Sequence, residues 1–392
     1  KILIIDSVCN RRGIINKDVN GGLGTRSQFG EGFLIKLLEK LKKTGCVLPL
    51  LDFAYLIAIL KKNNYDVKYN LVKEYNNFDS LHQYIKDSQF DLIIYCPSLV
   101  AYSNDILIAQ YIKWKFPGIK QGVFGSFASS MPEIFKNSFD WVFVGEIETI
   151  IDHNLEDLKG VVNSEKFIED LDLLPFPSWH EFPQKFSYKP VLRKLPFYVM
   201  QSSRGCPMSC GYYCPYPASQ GKKWRSRSTD SLVEEIEYLK KDYNAKSILF
   251  RDAVFSLKKE RTIEFCEKLL KKGLKIDWAC ETIFKDLDKE LIKLMFRSGL
   301  RGINIGIESE NETILKSNKR KIMEKDSQKQ MISFCHNLGV KINAFFILGL
   351  KGDTNASIIK TIEYAKSLKI FASQFTINTP LPGTNFFREM EK

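Results

Sequence analysis

The chain has 392 residues, 44% hydrophobic and 27% charged, a globular balance that excludes a disordered or collagen-like protein. Its length exceeds one typical core, so two domains are expected, and no apolar run approaches the roughly 18 residues that span a bilayer. The net charge of +12 comes from scattered lysines. Lys222, Lys223, Arg225 and Arg227 around Trp224 make the densest basic cluster, which reads as solvated surface, and no nucleic-acid partner is expected.

Lys1–Ile5 is a short apolar run closed by Asp6, a strand and not a signal peptide; the first residue is not Met, so a trimmed start is expected. Helical spacing over Leu51–Asn63, Leu81–Asp87 and Asp105–Phe116 alternates with strands at Asp66–Val72, Phe90–Cys96, Gln121–Phe124 and Trp141–Val144. Phe90–Cys96 is almost purely apolar, as a strand buried on both faces must be. This alternation predicts a doubly wound, Rossmann-like parallel sheet. Ligands of such sheets sit beyond the carboxyl ends, where the loops begin at Asp6, Pro97, Gly125 and Gly145.

Residues 159–197 change character. Pro175, Pro177, Pro183, Pro190 and Pro196, with Trp179 and several phenylalanines, predict a semi-rigid connector between domain 1–158 and domain 198–392 that packs its aromatics on both. From Tyr198 the alternation restarts. Strands are expected at Tyr198–Ser202, Ser247–Phe250, Lys275–Cys280, Gly302–Ile307, Lys341–Leu348 and Gln374–Asn378. Helices are expected at Ser231–Tyr243, Lys259–Lys271, Asp288–Arg297, Glu324–Asn337 and Ala356–Leu368. Such βα units build a partial (β/α)6 barrel of the TIM type, with its active site at the carboxyl ends of the strands.

Nine cysteines are too sparse, and odd in number, for a disulfide scaffold, which places the chain in a reducing cytoplasm. Three of them, Cys206, Cys210 and Cys214, fall just past the first barrel strand. Gly205 and Gly211 let that loop turn, while Pro207 and Pro215 stiffen it. Three thiolates satisfy three irons of a [4Fe–4S] cube and leave the fourth open. A structural zinc would want a fourth protein ligand. The nearest further His or Cys in sequence are His180 and Cys266, so zinc and uncoordinated thiols remain the weaker alternatives. Cys9 and Cys280 lie near strand ends and are kept as minor site candidates.

The pattern resembles the radical S-adenosylmethionine (SAM) enzymes, in the branch with an N-terminal cobalamin-binding domain. That family's usual spacing is C-x3-C-x2-C; here it is C-x3-C-x3-C, and one residue adds at most about 3.5 Å of chain. Further matches fall at successive strand ends: Phe250-Arg251-Asp252, Trp278-Ala279-Cys280-Glu281, Gly306-Ile307-Glu308-Ser309, Gly349-Leu350-Lys351-Gly352-Asp353 and Thr379-Pro380-Leu381-Pro382-Gly383-Thr384. The resemblance implies that the open iron chelates the amino acid head of SAM and that the reduced cluster splits the sulfonium, giving a 5′-deoxyadenosyl radical. Asp252, Glu281 and Glu308 are then candidates to accept from the ribose hydroxyls and the ammonium, with Glu308 foremost. Tyr213, before the third cysteine, resembles the family residue near the adenine. The alternative for the carboxylates is salt bridging within the barrel rim to Arg251, Arg301 or Lys341, and for Tyr213 it is packing on the loop.

The N-terminal region resembles the family's cobalamin-binding domain at Leu48-Pro49-Leu50-Leu51-Asp52, Tyr95-Cys96-Pro97-Ser98, Gly125-Ser126-Phe127-Ala128 and Gly145-Glu146-Ile147-Glu148, with a glycine-rich loop over 20–25. Ser98, Gly125, Ser126, Gly145 and Glu146 are therefore candidate cobalamin contacts. The D-x-H-x-x-G motif of older cobalamin carriers is absent, and His82, His153, His180 and His336 read as structural.

The expected function is a cobalamin-dependent radical SAM methyltransferase acting at an unactivated carbon of a small-molecule substrate, for which an anionic group is considered. It would draw electrons from an external one-electron reductant such as flavodoxin or ferredoxin. Two alternatives stay open: a cobalamin-binding radical SAM cyclase or rearrangement enzyme without methyl transfer, and a non-catalytic metal-stabilised binding module. Family members continue past the sixth strand, so a truncated C-terminal end is also expected.

Overall fold

The structure is a computed structural model that describes residues 1–7, 13–72, 78–164, 166–183, 185–189 and 191–392. It forms two compact units, one of residues 1–185 with 218–220 and the other of 186–217 with 221–392. Cys9 lies outside the described residues.

The first unit begins with β1 (Ile2–Ser7), a short antiparallel hairpin of β2 (Ile14–Asn16) and β3 (Thr25–Ser27), then α1 (Phe33–Gly45), β4 (Cys46–Val47) and α2 (Leu51–Lys62). It continues through β5 (Val67–Val72), α3 (Asp79–Ser88), β6 (Leu92–Tyr95), α4 (Tyr102–Lys115), β7 (Lys120–Val123), α5 (Ser126–Ser130), β8 (Trp141–Val144) and β9 (Gly160–Asn163). Its parallel sheet runs β5-β1-β6-β7-β8-β9. Every residue of β1 and β6 is buried, which is why Ile2–Ile5 and β6 read as apolar runs. Gly122 in β7 is required by packing: a β-carbon there would lie 1.9 Å from the Trp141 ring.

Of the connector expected over 159–197, Gly160–Asn163 is the edge strand β9 and the part up to 185 belongs to the first unit. Trp179 and Phe182 are buried there; the Phe182 ring packs 4.4 Å from Tyr69, and Ser178 N–H donates to the Ala54 carbonyl at 3.0 Å.

The second unit opens with β10 (Ser187–Tyr188), β11 (Phe197–Met200), β12 (Ser203–Arg204), α6 (Tyr216–Gln220) and β13 (Arg225–Ser226). Alternation follows: α7 (Thr229–Tyr243), β14 (Ser247–Phe250), α8 (Lys259–Lys271), β15 (Asp277–Thr282), α9 (Lys289–Arg297), β16 (Leu300–Glu308), α10 (Glu312–Ser317), α11 (Lys325–Leu338), β17 (Lys341–Leu348), α12 (Asn355–Ser367), β18 (Ala372–Ile377) and α13 (Asn385–Met390). The parallel sheet runs β11-β14-β15-β16-β17-β18 in chain order, the strand order of a partial (β/α)6 barrel. Ser228, Asp288 and Thr354 cap α7, α9 and α12 with their side chains, each worth about 1 kcal/mol, so the helices start where the loops demand. Phe250 packs edge to face on Phe265 and Trp278 at the core of this unit, and its ring lies tilted against Phe255 with centroids 4.7 Å apart. Among the described residues no helix is long and apolar enough to cross a membrane.

Candidate functional site

The cysteine loop is pinned at its neck. Gly205 has φ +83°, and a β-carbon there would lie 2.0 Å from the Lys223 carbonyl oxygen, so only glycine permits the approach. Next to it, Cys206 N–H donates to the Gly221 carbonyl at 3.0 Å, while β12 pairs antiparallel with β13. Beyond the neck the chain makes a tight 3-10 turn over Ser209–Tyr212.

That turn explains the extra residue between the second and third cysteines. The Cys210 carbonyl accepts from Tyr213 N–H at 3.3 Å and from Cys214 N–H at 3.2 Å. An i→i+4 contact puts Cys210 and Cys214 on one side of the turn. The two tyrosines between them part company. Tyr213 is buried against Cys210, Ile314 and Leu350. Tyr212 faces out, stacks on Phe386 of α13 with centroids 5.6 Å apart, and donates to Glu389 Oε2 at 2.7 Å.

Cys206 and Cys210 are buried and Cys214 is half-buried. Burial pushes the Cys206 thiol up. Cys210 is lowered, first by the hydrogen bond from the Cys214 thiol and then, against its burial, by Arg320. Cys214, the donor in that bond, is raised correspondingly. Of the three, Cys210 is the sulfur that its neighbours bias towards the thiolate, the form that binds iron. Among the described residues no three His, Cys, Asp or Glu side chains surround a common point. A cube, which gives each sulfur its own iron, asks less of this loop than a single ion gripped by all three. The donor set fits such a cluster.

Glu308 ends β16 at φ +67°, just past a register shift in which Gly306 pairs Phe345 and Glu308 pairs Phe346. The bulge re-aims the carboxylate, as bulges beside active sites do. Its Oε1 meets Arg320 Nη2 at 3.0 Å. Arg320 also donates to the Gly306 carbonyl at 2.9 Å and to Cys210 Sγ at 3.6 Å. A β-carbon on Gly306 would lie 2.2 Å from Glu308 Oε1 and 2.5 Å from Arg320 Nη2, so the glycine makes room for the pair. Burial raises Glu308, opposed by the guanidinium. The Tyr213 hydroxyl is buried without a hydrogen-bond partner among the described residues, and burial followed by Glu308 pushes it up. Three of the expected residues, Cys210, Tyr213 and Glu308, therefore meet around a fourth, Arg320, that sequence reasoning missed.

The other two carboxylates are engaged elsewhere. Asp252 is fully buried and accepts from Ser202 N–H, Ser202 Oγ at 2.8 Å and Ser203 Oγ at 2.6 Å. It holds the exit of β11, four residues before Cys206. Glu281 pairs with Arg251, and Tyr216 Oη reaches its other oxygen at 3.4 Å. The salt bridging considered for these carboxylates thus holds for Glu281 with Arg251 and, with Arg320 in place of the expected partners, for Glu308. Arg301 and Lys341 bond at the opposite, amino ends of the strands, to Asp277 Oδ1 at 3.4 Å and to the Val191 carbonyl at 3.2 Å. Cys280 is fully buried within β15, with its thiol pushed up by burial.

In the first unit, Ser98, Gly125 and Ser126 gather beneath the loop 20–25. A β-carbon on Gly22 would lie 2.6 Å from Ser126 Oγ, and one on Gly24 would lie 2.8 Å from Ser98 Cβ. Gly125 (φ +107°) crosses Cys96 Sγ at a distance that would leave 2.6 Å for a side chain. Gly145 and Glu146 instead engage the strip that follows β9: Gly145 packs on Ser164, and the buried Glu146 carboxylate accepts from Ile168 N–H at 2.7 Å. The Ser98 hydroxyl and the Asn104 amide are buried without hydrogen-bond partners among the described residues. Beside them lies a charged cluster with no sequence motif. Lys17 Nζ pairs with Asp6 Oδ1 at 3.0 Å and Asp105 Oδ1 at 3.8 Å, Ser7 Oγ donates to Asp105 at 2.5 Å, and Tyr69 Oη donates to Asp6 at 2.8 Å. Burial raises Asp105 from 3.8 to about 6, with Lys17 opposing.

A partial barrel of parallel strands with three cysteines on the loop after its first strand defines an iron–sulfur enzyme class, and comparison with known proteins agrees. Residues 200–365 match the Radical SAM superfamily. An uncharacterised methyltransferase of Pyrococcus horikoshii is 28% identical over 370 residues, 88% of this chain and 78% of the relative. The anaerobic magnesium-protoporphyrin IX monomethyl ester cyclase of Rubrivivax gelatinosus is 29% identical over 230 residues, 57% of this chain and 40% of the cyclase. In fold, the chain resembles the radical SAM methyltransferase TsrM from Kitasatospora setae, solved with cobalamin and a [4Fe–4S] cluster, at TM-score 0.68 and 15% identity over 99% of this chain and 77% of that one. Residues 200–365 thus match a radical SAM domain, which supports an enzyme whose cofactors are a [4Fe–4S] cluster and SAM.

Proposed function

We propose that this protein is a cobalamin-dependent radical SAM methyltransferase acting at an unactivated carbon of a small molecule, with Cys206, Cys210 and Cys214 as the cluster ligands. The observation that carries the reading is the convergence of the Cys210 sulfur, Arg320, Glu308 and the Tyr213 hydroxyl at one end of the partial barrel. When bound and reduced, the cluster supplies the electron that splits SAM into methionine and a 5′-deoxyadenosyl radical. The protein's part is to hold and aim. An adjacent carboxylate and guanidinium complement an α-amino acid head, which carries one ammonium and one carboxylate; Glu308 and Arg320 fill those roles. The orphaned Tyr213 hydroxyl is a polar group waiting for a ligand partner. Asp252, with its oxygens committed to Ser202 and Ser203, is a positioning residue for the cysteine loop, and Glu281 is held ready by Arg251.

Cobalamin fits the first unit on two counts. The glycines at 22, 24 and 125 bring backbone to the carboxyl edge of the sheet with no side chain between. The unpaired Ser98 hydroxyl and Asn104 amide match the amides that line a corrin ring. Bound there by Ser98, Gly125 and Ser126, with Gly145 and Glu146 shaping the adjoining strip, cobalamin would supply a methyl carrier. The likeness in fold to TsrM supports this assignment. We further assign the enzyme to the cytoplasm, a flavodoxin- or ferredoxin-like donor as its reductant, and an anionic group to its substrate.

The test is product analysis of anaerobically reconstituted protein with hydroxocobalamin, SAM and a strong reductant. Methyl transfer yields both 5′-deoxyadenosine and S-adenosylhomocysteine. The first without the second sinks methyl transfer and leaves a ring-forming or rearranging enzyme, the reading favoured by the likeness to the cyclase. Protein that binds no iron would instead be a metal-stabilised binding module.

A further inference from the structure

Helix α1 is turned inside out. Its large apolar residues Phe33, Leu34, Leu37, Leu38 and Leu41 recur at i, i+1, i+4, i+5 and i+8, one side of a helix. That side faces out: the five are 82%, 72%, 45%, 58% and 60% exposed. The buried side carries Glu39, whose carboxylate accepts from Phe29 N–H at 2.8 Å. A helix resting on a globular core does the reverse, and an unbroken line of five exposed apolar side chains marks an interaction site.

The charges around the line say what covers it. Lys36, Lys40 and Lys43, at i, i+4 and i+7, run along one flank, and Lys42 stands on the other with its ammonium 4.6 Å from the exposed Phe29 ring. Glu31 approaches this flank, 4.0 Å from Lys36, and is itself largely exposed. A second copy docking through the same face would set lysine flank against lysine flank, a like-charge arrangement that disfavours self-association. An anionic lipid surface meets both features at once: leucines enter the acyl boundary while lysines reach headgroup phosphates.

We propose that α1 is an interfacial helix that seats this enzyme on an anionic bilayer surface. The test is flotation of the full chain with phosphatidylcholine vesicles with and without phosphatidylserine. The phosphatidylserine vesicles should bind about tenfold or more tightly, and salt should weaken the difference. Leu37→Glu/Leu38→Glu should abolish binding to both, while Lys36→Glu/Lys40→Glu should remove only the preference. Because these side chains are exposed, both variants should keep the wild-type circular dichroism and cluster absorbance. No flotation of the wild type, flotation indifferent to the leucine substitutions, or a dimer that those substitutions dissolve would each overturn the proposal, the last in favour of a protein partner.

Discussion

The two units are variations on one plan, six parallel strands with function expected at their carboxyl ends, yet they assemble those ends differently. In the second unit one loop delivers three sulfurs, and Glu308 and Arg320 stand on either side of the short helix α10. In the first, Asp6, Lys17 and Asp105 come from three separate stretches and meet only because the sheet brings β1 and β6 side by side. Chemistry carried on a contiguous loop is tolerant of the rest of the fold. Chemistry distributed over strand ends depends on the sheet's register and on balanced buried charge.

The sharpest separation comes from the loop itself. Replacing Cys206, Cys210 and Cys214 together by Ala should drop iron and acid-labile sulfide from about four of each per chain to near none, with the fold's circular dichroism kept. Iron that persists would refute the ligand assignment. Next is the buried pair. Arg320→Met strands the Glu308 carboxylate and should cost about 3–5 kcal/mol in chemical unfolding; adding Glu308→Gln should recover most of that, while SAM binding stays weakened about tenfold or more in both. Full SAM affinity in the double variant would remove the pair from the binding site.

The first unit predicts a pH effect. Asp105 is raised from 3.8 to about 6, so the folded chain holds its proton where the unfolded chain has lost it. Its contribution is therefore fully present below about 4 and is lost as pH rises towards 6, on the order of 3 kcal/mol in all. Asp105→Asn should flatten this part of the stability profile; equal slopes in both proteins would contradict the assignment. Smallest is Tyr212→Phe, which removes the hydrogen bond to Glu389 and should cost about 1 kcal/mol without changing iron content.

Much of this was legible beforehand because it is written locally. Trp141–Val144, Ser247–Phe250, Lys341–Leu348 and Lys259–Lys271 begin and end where their apolar pattern does. The cysteine loop needs no partner to be recognised. What stayed hidden depends on distance or on inversion. Arg320 sits in Lys319-Arg320-Lys321, a basic run that reads as solvated surface; a left-handed Lys319 (φ +56°) precedes it, and its proper clue was Glu308, one short helix upstream. The strand β9 is a four-residue edge piece between a glycine and an asparagine. Helix α1 has helical spacing but carries its leucines on the wrong side for a core, so periodicity alone does not place it. Lys17 looks like any other lysine until Asp6 and Asp105 close around it.

The measurement closest to the heart of this account is incubation of oxygen-free, iron-loaded protein with SAM and a strong reductant, followed by chromatography. The account predicts 5′-deoxyadenosine and methionine in equal amounts, lost when the three loop cysteines are replaced. Protein that is fully loaded with iron and sulfide yet leaves SAM intact would contradict it.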